Sequence, residues 1–321
     1  VDGLREQGFP VLDLTDNELA KLHLPPLTEA LAFCLNYGLG FCLIHMLHGT
    51  VATKQPAMTA NAIAATISQS GGKLRDLDLL VSLIARTIRS QIIAILGNVG
   101  IAIPLAGLIA YAVFSLSGEQ FVTAEKASHL LAEQSLIHSG AVFYAAIAGV
   151  CLFLAGLING YFDNYAAYNR IPERVLQLEW PRRLFGEYRM RRVSTYIGKN
   201  LGALTGNLVF GFLLGGTTLF GLLFGLPIDI RHVAFSSAFV GIAFATLDFA
   251  SYLGLFLWAA IGVATIGLIN LSVSFSLALN VALRAREVTD TPWQLIIGAT
   301  LKHLLRNPRD FFLPPKAEKL S

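Results

Sequence analysis

The chain has 321 residues, 54% of them hydrophobic and 14% charged, with a formal net charge of +3. A soluble domain carries about 25% charge, so this composition excludes an ordinary soluble protein and points to one embedded in a membrane. The small net charge speaks against a nucleic-acid-binding chain. The three cysteines, Cys34, Cys42 and Cys151, lie inside apolar runs with no C-x-x-C pair, which reads as small buried hydrophobes and not as a disulfide framework or metal cluster.

The chain opens on Val1, and residues 1–26 carry five acids and two bases. This stretch reads as the end of a soluble region that belongs to a longer protein. The membrane domain is expected over residues 27–283. Its first segment runs from Leu27 to Leu47, after Pro25 and Pro26, with Thr28 as a cap and Glu29 in the first turn, where an acid suits the helix dipole. A polar block, TKQPAMTAN at 53–61, follows. Pro56 there suits the first turn of a new helix, expected to run to about Ser68 and stop at Gly71-Gly72. Its positive end, with Lys54, Gln55, Thr59 and Asn61 beside it, is a candidate anion or headgroup site. A cytoplasmic-side loop with a snorkelling lysine is the plainer reading.

From Lys73 onwards the pattern is amphipathic. Arg75, Asp78, Ser82, Arg86 and Arg89 share one helical face and Leu74, Leu77, Leu80, Ile84 and Ile88 the other, as in an interfacial helix or a helix packed on its neighbours. It feeds into a second span, Ile92 to Ser115. Residues 116–140 read as a polar connection with one lysine and three acids. The third span is Ala141 to Phe162. Loop 163–200 holds eight bases and four acids, and its Arg182, Arg183, Arg191 and Arg192 read as a membrane-surface segment. The fourth span is Leu201 to Gly225. The link LPIDIRH leads to an apolar stretch from Val233 to Leu283, two spans long with a turn near Asp248 to Leu253. The tail, 284–321, has seven bases and four acids and a short helix started by Thr291-Pro292 and stopped before Pro308.

Basic loops favour the cytoplasm, which assigns loop 48–91, loop 163–200 and the tail to that side. Counting crossings then requires one segment in the last half to fall short. Val233 to Tyr252, with Ser236, Ser237 and Asp248, is the segment expected to be broken or re-entrant. The expected fold is therefore all-α: a polytopic transmembrane helical bundle of about six membrane segments, one or two of them incomplete.

Two readings stand open for the residues inside these segments. Gly202 and Gly206, and Gly211 and Gly215, form G-x-x-x-G pairs that let helix backbones approach closely; the alternative is a hinge or a conduit wall. Asn98, Asn159, Asn207, Asn270 and Asn280, with Asn36, sit in apolar segments, where an unpaired amide costs several kcal/mol; they are interhelical bonds or a polar path for a substrate. Ionisable groups at membrane depth are functional candidates: Lys54, Arg231, His232 and Asp248. His45 and His48 lack carboxylates to complete a zinc site. No metal or cofactor is expected, and the sequence holds no H-E-x-x-H, G-x-S-x-G or Walker loop.

The stretches ATKQPAMTAN (52–61), GNLVFGFLLG (206–215), GLPIDIRHVAFS (225–236) and RNPRDFFLPP (306–315) resemble the proteobacterial membrane family labelled "site-specific recombinase", over roughly residues 30 to 315. The resemblance implies a bacterial inner-membrane protein with a longer, mostly soluble N-terminal part, and its label implies DNA strand exchange. Such chemistry needs a soluble catalytic domain of order 100 residues, against 38 residues in loop 163–200. The residues favour, in order, a conduit or carrier for a lipid, an anionic solute or a peptide; a membrane scaffold that binds a protein partner through loop 163–200 or the N-terminal region; and a recombinase. Membrane lipids are the expected partners.

Overall fold

The structure, a computed structural model, describes residues 26–47, 55–69, 77–137, 139–288 and 291–313. Among them twelve helices and no strand occur: α1 (Pro26–Met46), α2 (Gln55–Gln69), α3 (Leu77–Ser117), α4 (Ala124–Ala132), α5 (Ala141–Tyr168), α6 (Ile171–Gln177), α7 (Glu179–Phe185), α8 (Glu187–Phe224), α9 (Val233–Thr246), α10 (Leu253–Arg284), α11 (Trp293–Arg306) and α12 (Arg309–Phe312). Four of them, α3, α5, most of α8 and α10, are long and apolar enough to cross a membrane; α1 and α9 supply two shorter apolar helices. This is the expected all-helical membrane fold. With 14 residues, α9 is about 21 Å long at 1.5 Å per residue, short of a hydrocarbon core of about 30 Å.

The chain divides into two compact units, one comprising Val1–Pro56 and Ile147–Ile230, the other Ala57–Ala146 and Arg231–Ser321. In the first, α8 is the central helix, with α1 and α5 antiparallel to it. The approach is set by glycine. A Cβ at Gly202 would run into the carbonyl of Asn159 and the carboxylate of Asp163, and one at Gly206 would lie 2.9 Å from the Asn159 Cβ. One turn further on, a Cβ at Gly211 would lie 2.5 Å from the Cα of Gly38, and one at Gly215 2.8 Å from Cys34 Sγ. The glycines thus serve two neighbours in turn, the first pair facing α5 and the second α1. Bonds between helices follow the same register: His45 Nε2 to Asn200 Oδ1 at 2.9 Å, Cys42 Sγ to Leu204 O at 3.2 Å, and Gly202 N–H to Asp163 Oδ1 at 3.2 Å. Helix α8 ends at Gly225, whose φ of +62° lets Leu226 N–H reach back to Gly221 O at 2.8 Å, a left-handed helix stop that favours glycine. At its other end, Ser194 donates to Pro172 O of α6 at 2.6 Å.

In the second unit, α3 and α9 run side by side, and Gly241 is the point of closest approach: a Cβ there would strike the carbonyl of Ile103 and lie 3.1 Å from Ala106 Cβ. Helices α9 and α10 form a hairpin through residues 247–252, where Phe244, Phe249 and Phe256 cluster with ring centroids 5.3–5.9 Å apart. The stretch read as a polar connection carries a helix instead. In α4, Thr123 caps by accepting from Lys126 N–H at 3.2 Å, and Ala127, Leu130 and Leu131 are buried against α9 and α10. The spacing of these three residues marks one face of a helix. Ala141, Ala145 and Ile266 form the adjoining core.

Candidate functional site

The N-terminus of α9 leaves backbone N–H groups in need of acceptors. His232, in the N-cap position, supplies no side-chain cap. The acceptor comes from α10: Asn270 Oδ1 takes the N–H of Val233 at 3.0 Å. The same amide donates through Nδ2 to Ala145 O at 2.8 Å and Arg231 O at 2.9 Å. Three bonds satisfy a buried asparagine and fix the backbone on both sides of His232.

That fixation positions Arg231, 8% exposed. Its Nη2 lies 3.4 Å from Glu133 Oε2, and its guanidinium sits over the Tyr144 ring at 5.8 Å from the centroid, a cation–π arrangement. Glu133, just past α4, also meets the exposed His129 across 3.2 Å. The carboxylate thus stands between an exposed imidazole and a buried guanidinium. His232 is buried and packs edge-on against Phe235 at 5.6 Å. Around this cluster α9 carries no ionisable side chain, and α10 carries only Arg284 in its last turn. Charges held in such apolar surroundings interact strongly, and a cation there demands an anion. Three neighbouring buried oxygens lack a hydrogen-bond partner among the described residues: Ser236 Oγ, Ser274 Oγ and Gln134 Oε1. They belong to α9, α10 and the residue beside Glu133.

The remaining sequence candidates lie elsewhere. Lys54 is outside the described residues. Gln55 and Pro56 open α2, which buries Ala60, Ile63, Ala64 and Ile67 on one face; Thr59 is half-buried and Asn61 exposed. Asp248 is exposed in the turn at the far end of α9 from Arg231, and hydrogen bonding from Ser251, whose N–H donates at 2.9 Å, holds its carboxyl below the usual range. Asn98 bonds its own helix at Ala94 O, and Asn280 is exposed. Asn159 and Asn207 are buried in the first unit, Asn207 reaching Phe41 O at 3.5 Å. Arg182, Arg183, Arg191 and Arg192 are exposed, and two of them pair with acids one turn away, Arg183 with Glu179 at 2.8 Å and Arg191 with Glu187 at 2.6 Å. Sequence reasoning missed Glu133, His129 and Tyr144. The signal for His129 and Glu133 was a histidine and an acid four residues apart at the end of an amphipathic segment.

Asn270→Leu is expected to leave the Val233 N–H without its acceptor and the carbonyls of Arg231 and Ala145 without their donor. Each buried group left unsatisfied costs about 1–3 kcal/mol. A lowered melting temperature and faster amide exchange at residues 231–236 are the readouts, with Asn280→Leu, at an exposed position, as the neutral control.

These features define a helical membrane protein with a buried, charge-bearing site at the start of a short apolar helix. The chain belongs to the family described as "Site-specific recombinase", whose model matches residues 14–314. No curated protein and no solved structure matches it.

Proposed function

We propose that this chain is a multi-pass protein of the bacterial inner membrane that works as a conduit or carrier for an anion-bearing ligand, whether a lipid headgroup, an anionic solute or a peptide carboxylate. The observation that carries this reading is Arg231, a buried cation at the start of a short, broken apolar segment, with its backbone held by Asn270 and its charge met by Glu133. Short helices whose positive ends face a polar site at membrane depth are a habit of carriers. An arginine offers a planar, bidentate set of donors suited to phosphate and carboxylate.

The exposed arginines of α7 and α8 favour a second reading, a membrane scaffold that docks an acidic partner through residues 163–200. The strand exchange named by the family description finds less support in the same stretch. Its paired arginines turn to acids one helical turn away.

The test is a deletion strain complemented with wild type, Arg231→Lys or Arg231→Gln, scored by growth, solute uptake and lipid profile. Arg231→Lys is expected to restore part of the wild-type profile and Arg231→Gln none. Full rescue by Arg231→Gln would remove Arg231 from the function, and a partner set in crosslinked pull-downs that disappears with Arg182, Arg183, Arg191 and Arg192 would favour the scaffold.

A further inference from the structure

We infer that the tail helix α11, clamped to α3 through α12, is an interfacial anchor that binds the surface of a bilayer containing anionic lipid. Trp293, Ile297, Leu301 and Leu305 recur every four residues, so they wind slowly along one side. They are 43%, 55%, 53% and 84% exposed. Beside them run the exposed Lys302 and Arg306, also four apart, while on the remaining side Ile296 is buried and Thr300 and His303 are half-buried. The helix therefore has three sectors: one docked on the protein, one apolar and outward, one cationic and outward. An outward apolar face beside a cationic one is the pattern of a helix lying in the headgroup region.

The clamp gives the level of this helix. Arg89 Nη1 donates to the carbonyls of Asp310 at 2.9 Å and Leu313 at 3.0 Å, and Phe311 is buried. His303 Nε2 meets Asp310 Oδ2 at 3.0 Å, with its ring 5.8 Å from that of Phe311, which ties α11 to α12. Arg89 stands three residues before Ile92, where the apolar stretch of α3 begins. An arginine at the edge of a span sits at the headgroup boundary, so the tail is held at that height.

Charge selects the lipid class. From Trp293 to Leu313 the ionisable residues are Lys302, His303, Arg306, Arg309 and Asp310, and the one acid is engaged by His303. Arg86 on α3 adds another exposed cation. A stripe of four large apolar side chains framed by cations fits acyl chains under anionic headgroups.

The experiment uses the full chain in proteoliposomes. Trp180→Phe and Trp258→Phe, both at exposed positions, leave Trp293 as the last of the three tryptophans. Its emission is expected to be quenched by lipids brominated near the headgroup and not by aqueous iodide. Brominated phosphatidylglycerol should quench in preference to brominated phosphatidylcholine, and that preference should fall roughly fivefold for each of Lys302→Gln and Arg306→Gln. Quenching by iodide alone would place the face in water, and insensitivity to both quenchers would place it under protein; either result overturns the inference. Equal quenching by the two lipids would overturn the anionic part.

Discussion

Gly211→Ala is expected to break the packing of α1 on α8, while Gly216→Ala, five residues on, leaves it intact. At Gly216 an added Cβ meets nothing within 4 Å. At Gly211 it would lie 2.5 Å from the Cα of Gly38 and 2.6 Å from the carbonyl carbon of Tyr37. These are backbone atoms, so no rotamer change relieves the clash and the two helices must separate. Separation loosens what that crossing holds: the Cys42–Leu204 bond, the bond of Asn207 to Phe41 O, and the Phe41–Phe210 ring contact at 5.2 Å. Overpacking of this kind costs about 1–3 kcal/mol, and in lipid no hydrophobic force drives the helices back together. A fall in melting temperature on the order of 2–5 °C for Gly211→Ala is the expected reading, with Gly216→Ala within error of wild type. Equal melting temperatures would show that the close crossing is absent. Gly202→Ala, which meets Asn159 O and Asp163 on α5, extends the same test to the other neighbour.

That contrast shows where sequence pattern stops. The G-x-x-x-G spacing announces close packing, but nothing in it says that Gly202 and Gly206 face α5 while Gly211 and Gly215 face α1. Helix ends with local causes were readable. Pro56 opens α2 in its first turn, Thr291-Pro292 immediately precedes α11, and the turn expected near Asp248 to Leu253 occupies residues 247–252. Ends without a local breaker were not. The amphipathic helix expected from Lys73 does run on into the second span as α3, but the fourth span was expected from Leu201 and its helix begins at Glu187, because the polar residues before it keep helical propensity and no proline or left-handed glycine intervenes. Gly186, with φ +78°, is where α7 gives way to α8. Residues 124–132 were hidden for a different reason: their apolar face is three residues wide, and only burial against α9 and α10 makes a nine-residue helix persist, since short helices owe their stability to packing. The Arg231 site depends on that helix. Arg231 and His232, read as functional candidates at membrane depth, are buried, and Glu133, 98 positions earlier in the chain, is brought to Arg231.

Glu133→Gln is expected to destabilise the second unit more than Arg231→Met does. The reason lies in what each change leaves behind. Glu133→Gln keeps a guanidinium that is nearly buried and removes a carboxylate facing it. Breaking a buried pair this way costs about 3 kcal/mol, the low end of the usual range, because the side chain of Glu133 keeps 21% exposure. Arg231→Met instead leaves a carboxylate that retains water and His129, and methionine fills the space with an adaptable apolar chain. The double variant should recover most of the loss, giving a coupling energy of order 1–3 kcal/mol in the mutant cycle. Ligand response should run the opposite way. An anion that reaches Arg231 must displace Glu133, so Glu133→Gln removes its competitor and should enlarge the melting-temperature shift given by inorganic phosphate or phosphatidylglycerol, whereas Arg231→Met should abolish it. A pair kept for structure alone would show the coupling energy and no such divergence; a site built to receive an anion shows both.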